Sequence, residues 1–501
     1  MILEAICQRT ENFILQMPKE QRKQYGQFFT SCETARFMAS LFNVNIKSEI
    51  LTALDAGAGS GVLSVALVEC MDNILGKNNT LKIVCYENDP NILPLLTENL
   101  NYAQQMCHFH FEYEIRTENY IVSQADALQP NGLFNEKSEL EKYDIIIGNP
   151  PYKKVDKSAC EALLLPEVCY GAPNLYFLFA TMGVKNLKEG GEMVYIIPRS
   201  WTSGAYFERF RQWLFRHATL DYIHLFASRN KIFDKENVLQ ETMIIHLRGG
   251  VYHHSQITVS TTETNFDFIN MKKVVLPYDV VVSSGLHRYV FLPTNDDEIH
   301  VLNVFGTMKQ TLSDIGLRMK TGLVVDFRSR NLLCDMPMEN SVPIIYSCHI
   351  KEGRIKFPQG REGEYLLKGR SGFLQPNRNY LFVKRFTAKE EHRRLQCGIY
   401  LKRYLPDYNE ISSQNKVNFI DSTDREMSEC LVYGLYVIFN STLYDTYYRI
   451  LNGSTQVNAT EINSMPVPPI EIIMNMGKIL LTNRNLSEKH CDDILKIYLH
   501  E

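Results

Sequence analysis

The sequence has no Cys-x-x-Cys pair and no cysteine-histidine cluster at zinc spacing, although it carries 12 cysteines in 501 residues. Scattered thiols in a chain of this size argue against a disulfide framework or a zinc ribbon, and they read as reduced core fillers in the cytoplasm. Long apolar runs are also missing: residues 63–68 and 145–147 stop far short of the about 18 residues that a membrane span needs. The opening MILEAICQRTENFILQM holds Glu4 and Glu11 with no leading positive charge, so neither a secretory signal nor membrane association is expected. Excess charge of either sign is absent as well. With 53 basic against 57 acidic residues, a net charge of −4 and a charged fraction of 22%, a disordered or polyelectrolyte chain is excluded. What is present is 45% hydrophobic residues, enough in a chain of this length to fill more than one core.

Between residues 50 and 250, short β-rich apolar runs alternate with longer amphipathic ones. Strands are expected at 51–55, 81–87, 143–148 and 192–198, and helices at 61–75, 91–103 and 175–188. This alternation implies an α/β fold with a mostly parallel sheet covered on both faces, and ligands on such sheets sit at the carboxyl ends of the strands. After Gly249-Gly250 the spacing becomes irregular, with β-like runs such as 342–347 and 379–386, so two domains, 1–250 and 251–501, are expected. Residues 351–403 carry 14 basic and 5 acidic residues with Tyr365, Phe373, Tyr380, Phe382 and Phe386 interleaved. Inside an otherwise acidic protein this reads either as a polyanion-binding surface or as a solvated face with buried aromatics.

Three features fall at expected strand ends. The first is Asp55-Ala56-Gly57-Ala58-Gly59-Ser60-Gly61, where glycines let backbone amides approach a ligand at a helix amino terminus. Its Gly-x-Gly-x-Gly spacing departs from the dinucleotide fingerprint, which counts against a dehydrogenase; taken alone it is weak evidence, with a mere tight turn as the alternative reading. The second is Glu87, whose carboxylate can accept from both hydroxyls of a ribose, with Asp126 at the expected end of a third strand able to accept from an adenine amine. Either one singly is more commonly a surface carboxylate capping a turn. The third is Asn149-Pro150-Pro151-Tyr152 directly after the buried run 144–148. Two prolines fix the backbone there, so the Asn149 side chain and the Pro150 carbonyl form a rigid pair of acceptors. An amine conjugated to an aromatic ring is a poor nucleophile, and two acceptors on its N–H groups draw the nitrogen toward tetrahedral geometry and free its lone pair. Tyr152 offers a flat face on which a base can stack.

With these motifs in this order, the sequence resembles the S-adenosylmethionine-dependent DNA adenine-N6 methyltransferases of restriction-modification systems, in the gamma arrangement of TaqI-like and Eco57I-like enzymes. Gly26-Gln27-Phe28-Phe29-Thr30 is similar to that family's cofactor-contacting segment, Asn174-Leu175-Tyr176 and the run from Gly190 to Trp201 follow its helix-then-strand pattern, and Lys231-Ile232-Phe233 matches the segment supplying a second stacking aromatic. Phe439-Asn440-Ser441 and the stretch from Ile462 to Pro468 resemble its closing segments. Length and layout are similar to the PstI and BsuBI type, which marks the adenine of CTGCAG. The resemblance implies a Rossmann-like class I methyltransferase domain followed by a mixed α+β target recognition domain. It implies that Thr30, Asp55, Gly57, Gly59 and Asn149 contact the cofactor, Glu87 its ribose and Asp126 its adenine. It places Asn149, Pro150, Pro151 and Tyr152 around the target base, with Phe233 on the base's other face, although one aromatic between Ile232 and Asp234 is equally well ordinary core.

Double-stranded DNA is the expected partner, held by Lys384, Arg385, Arg393 and Arg394 together with Lys153, Lys154 and Lys157. A monomer paired functionally with a separate restriction endonuclease is expected, and no metal ion is required. A release-factor glutamine methyltransferase of the same fold is usually shorter; RNA adenine methylation is harder to set aside. A non-catalytic binding module would need a damaged glycine turn or a broken Asn-Pro-Pro-Tyr, and both are intact. A fused nuclease finds no support, since Pro406-Asp407 with Glu410 lacks a properly placed lysine.

Overall fold

The computed structural model describes residues 2–16, 18, 29–43, 49–128, 139–226, 242–253, 255–369, 371–388, 390–452 and 455–499. The chain forms two compact units, Met1–Thr294 and Asn295–Glu501. The first is built on a nine-stranded sheet of β1 (Ile50–Ala56), β2 (Thr80–Tyr86), β3 (His110–Arg116), β4 (Tyr143–Gly148), β5 (Leu187–Pro198), β6 (Ala218–Phe226), β7 (Thr242–Gly249), β8 (Gln256–Thr262) and β9 (Lys272–Pro277), in the order β3-β2-β1-β4-β5-β7-β6-β8-β9. The pairs β2·β3, β1·β2, β1·β4, β4·β5 and β6·β8 are parallel. The hairpin strand β7 runs antiparallel to both β5 and β6. The fold is therefore α/β with a mostly parallel sheet, as the strand-helix alternation implied.

Burial explains the near-continuous apolar strands. Ala53, Ile83, Ile145, Ile147, Val194 and Ile196 face a core closed by the helices Ile2–Gln16, Cys32–Ser40, Val62–Met71 and Leu93–Met106. Their neighbours Leu54, Val84, Ile146 and Tyr195 are equally buried on the opposite face, where a Cβ on Gly183 of the helix Leu175–Asn186 would touch the Met193 and Tyr195 side chains. Strands covered on both sides lose the polar alternation of an exposed sheet, and each buried Ile or Leu contributes about 1.5–3 kcal/mol. β1 is followed outward by β2 and β3, after which the chain returns to β4 on the other side of β1. That reversal opens a crevice at the carboxyl ends of β1 and β4.

The boundary expected near residue 250 is displaced. Gly249-Gly250 ends β7, yet β8 then pairs with β6 and β9 with β8, so the same sheet continues to residue 277 and the first compact unit to 294. The second unit holds a six-stranded sheet, a small five-stranded sheet and the helices Glu429–Phe439, Thr442–Leu451, Ile470–Asn483 and Glu488–Leu499. Glu429–Phe439 and Ile470–Asn483 cross so closely that a Cβ on Gly434 would overlap the Ile473 carbonyl, and one on Gly477 the Cys430 carbonyl. Among the described residues no helix is long and apolar enough to cross a membrane.

Candidate active site

The site begins where β1 ends. Gly57, Gly59 and Gly61 take φ of +82°, +56° and +80°, a left-handed conformation that only glycine adopts freely. The turn is clamped onto the end of β2. Gly57 and Ala58 each donate a backbone N–H to the Tyr86 carbonyl at 2.9 Å, and Gly59 donates to Glu87 Oε2 at 2.8 Å. The other carboxylate oxygen of Glu87 accepts from the Asp89 backbone N–H at 2.8 Å. Burial pushes the Glu87 carboxyl up, against the pull of these N–H donors. Each of its oxygens keeps a lone pair for a further donor.

Asp55 lies beneath the turn and is fully buried. Its Oδ2 accepts from Ser64 Oγ at 2.6 Å, while Oδ1 has no hydrogen-bond partner among the described residues. Burial drives its carboxyl up to about 7, opposed by the Ser64 hydrogen bond and raised further by the nearby Glu87 charge. A buried carboxylate oxygen without a donor is costly.

Asn149 stands at the end of β4. Its Nδ2 donates to Thr30 Oγ1 at 3.1 Å, and its Oδ1 lies 2.9 Å from the Tyr152 hydroxyl, which is also 3.0 Å from the Ile196 carbonyl. The tyrosine ring is half-buried, edge-on to Tyr176 with centroids 6.3 Å apart, and burial holds its phenol well above the usual range. The loop beyond is tied back: Leu175 N donates to the Lys153 carbonyl and Val155 N to the Pro173 carbonyl, each at 2.8 Å. Gly57, Gly59, Glu87, Asn149, Pro150, Pro151 and Lys153 thereby border one cavity of about 470 Å³, with Phe29, Tyr120 and Phe179 as aromatic wall.

The structure brings together the glycine turn, Glu87 and Asn149-Pro150-Pro151, and places Thr30 against Asn149. It does not bring Asp126 with them. The third strand is His110–Arg116, so the residues emerging at its end are Glu118, Asn119 and Tyr120, which do border the cavity; Asp126 sits later, in the short helix Ala125–Leu128. That strand forms the sheet edge and alternates His110, Glu112 and Glu114 with Phe111, Tyr113 and Ile115, the pattern of a half-covered strand and unlike the unbroken apolar runs of its neighbours. Asn119 is a bracket: its Oδ1 accepts from the backbone N–H of Ile121 and Val122, and its Nδ2 donates to Glu161 Oε1 at 2.8 Å. Residues 26–28 and 231–233, including Phe233, lie outside the described residues. No group of three or more metal-ligating side chains occurs among the described residues.

Of the four cations expected to hold DNA, Arg393 and Arg394 are corrected by their burial. Arg394 is fully buried, with Nε on Thr387 Oγ1 and its guanidinium against the Tyr448 ring. Arg393 is buried between Thr442 Oγ1 and Glu488. Lys384 is half-buried on Gln396 Oε1 at 2.7 Å, and Arg385 on the Asn415 carbonyl at 3.0 Å. Arg393 and Arg394 are thus spent inside the second unit, while Lys384 and Arg385 remain half-buried.

The family model for Eco57I restriction-modification methylases matches residues 70–233. The type II methyltransferase M.PstI of Providencia stuartii is 34% identical over 460 residues, covering 90% of this chain and 88% of its own. M.BsuBI of Bacillus subtilis is 31% identical over 484 residues, covering 95% and 94%. Among solved structures, the type IIL restriction-modification enzyme MmeI in complex with DNA shares the fold at a TM-score of 0.50 and 12% identity, covering 89% of this chain and 70% of that one. The chain therefore belongs to the family of restriction-modification type II methyltransferases that includes M.PstI and M.BsuBI.

Proposed function

We propose that this protein methylates the N6 amine of adenine in a specific site of duplex DNA, after extruding the base, and so protects that site from a separate endonuclease. The observation that carries this reading is the fixed orientation of the Asn149 amide beside Pro150 at the mouth of the cavity. The methyl donor is S-adenosylmethionine, a sulfonium compound that supplies an already activated methyl group. The residues present fit it. Glycine backbone and the Glu87 carboxylate suit a ribose and aromatic walls suit a purine, while Asp55, whose Oδ1 has no donor, lies beneath the turn and not among the residues that border the cavity. Glu118, at the true end of the third strand, replaces Asp126 as the acceptor for the adenine amine.

Asn149 Oδ1 and the Pro150 carbonyl grip the two N–H bonds of the target amine. The nitrogen lone pair is then withdrawn from the ring and available to the methyl group, and the product loses its proton to water. Extrusion of the base costs a few kcal/mol, offset by contacts to its face and edge. Tyr152 reaches the base face by turning its hydroxyl off Asn149.

Transfer of a tritiated methyl group to plasmid DNA containing CTGCAG, to total RNA and to release factor in parallel tests the reading. Label in N6-methyladenine of DNA is expected, at CTGCAG if the similarity to the PstI and BsuBI type extends to the site. Label confined to RNA or protein would overturn the choice of substrate while keeping the chemistry.

A further inference from the structure

With Arg393 and Arg394 buried, the second unit needs another cationic surface if it touches DNA. It has a cavity of about 570 Å³ bordered by Phe327, Arg330, Tyr346, Arg361 and Lys416. Most basic side chains of this unit already have partners: Lys320 pairs with Asp421, Lys368 with Glu410, and Arg354 donates to two tyrosine hydroxyls. Among the described residues, Arg330, Arg361 and Lys416 form no ion pair. Three carboxylates, Asp326, Asp335 and the exposed Glu362, also border the cavity, and the first two are engaged locally. Asp326 accepts from Gln414 Nε2 and from the Phe327 N–H, and Asp335 accepts from the Gly363 N–H at 2.7 Å.

Arg361 is presented rigidly. Its guanidinium lies 3.5 Å from the centroid of the Tyr346 ring, and that ring is fixed by a 2.7 Å hydrogen bond from its hydroxyl to the Gly363 carbonyl. The loop carrying Arg361 is pinned from below by Glu364, a buried carboxylate that accepts from the backbone N–H of Gln359 and Gly360 at 2.8 and 2.9 Å and meets His349 Nε2 at 2.8 Å. A guanidinium laid flat on an aromatic ring keeps its donor edge free for a planar pair of acceptors, and the O6 and N7 of guanine are such a pair. Phe327 projects from the rim with 63% of its surface exposed, flanked by the Arg328 guanidinium.

Resting on the DNA reading above, we propose that this cavity is a DNA-reading site, in which Arg361 contacts a guanine edge and Arg330 and Lys416 hold flanking phosphates. Asp326, Asp335 and Glu362 match the three cations in number, so what the cavity offers DNA is directed donors, Arg361 above all, and not an excess of positive charge.

The test is fluorescence anisotropy of the full-length protein with two labelled duplexes, one carrying the sequence that the wild type methylates and one with that sequence scrambled, alongside a cofactor titration. Arg361→Ala is expected to weaken binding to the target duplex by about tenfold or more and to narrow the gap between the duplexes, with Arg361→Lys failing to restore it. Lys416→Ala is expected to weaken both duplexes alike and to lower the salt slope by about one. Cofactor affinity stays unchanged in all three variants. Arg361→Ala and Lys416→Ala proteins that bind both duplexes within about twofold of wild type would overturn the assignment. A wild type that binds neither duplex would instead overturn the DNA reading itself.

Discussion

An asparagine can present its oxygen to an amine dependably only if its nitrogen is engaged elsewhere, and in this protein Thr30 does that for Asn149. The segment around Thr30 reads from sequence as a cofactor contact, and its hydrogen bond to Asn149 adds a positioning role to be tested against that one. Thr30→Val, which keeps the shape and removes the acceptor, is expected to lower kcat by about tenfold to a hundredfold, the scale of one misdirected polar group in a reacting site. Cofactor affinity should move less than about threefold, and Thr30→Ser should recover most of kcat. Single-turnover kinetics with a cofactor titration separates this from a cofactor role, which would show as lost affinity instead. Asp55 offers a test through pH. Because its carboxyl is raised to about 7, the folded state holds the proton more tightly than the unfolded chain. The stabilisation is complete below about pH 4 and is lost as pH rises through about 7. Urea unfolding without cofactor should therefore show Asp55→Asn gaining on wild type from pH 4 to pH 8, by on the order of 4 kcal/mol for three pKa units. A gap that does not change with pH would mean the carboxyl titrates normally. The turn and Asn149-Pro150-Pro151-Tyr152 were legible because each is contiguous and sits after an apolar strand. The burial of Arg393 and Arg394 was not, because it depends on Glu488, Thr442 and Asp445, which lie about fifty or more residues further along the chain.

At the scale of elements, strands with both faces covered declared themselves as unbroken apolar runs, and β1, β2 and β4 fall where their composition put them. β3 did not, since an edge strand carries charge on its open side, and the misplacement of Asp126 follows directly from that one missed strand. Gly249-Gly250 looked like a domain end because a glycine pair marks a break in regular structure; only the pairing of β8 with β6 shows that the sheet resumes. Gly434 and Gly477 carried no signal in a single sequence, as their role lies in the helix that each one meets. Gly477→Ala forces the helices Glu429–Phe439 and Ile470–Asn483 apart and is expected to cost about 1–3 kcal/mol. An unchanged midpoint in thermal or urea unfolding would show that the crossing is not as tight as the backbone contact requires.

The whole molecule divides its labour between two compact units. The first encloses the cavity that we propose takes the methyl donor and the target amine, and the second carries both cations buried in its interior, Arg393 and Arg394, and cations that form no ion pair, Arg330, Arg361 and Lys416 among them. The count of 14 basic residues between 351 and 403 could not distinguish the two, because charge in a sequence says nothing of depth. The proposed activity rests on Asn149, and Asn149→Ala tests that most directly. With saturating labelled S-adenosylmethionine and target DNA, the variant is expected to bind cofactor as wild type does and to lose methyl transfer to adenine N6 by a factor of about a hundred or more. Transfer at the wild-type rate in a variant that still binds cofactor would contradict the account.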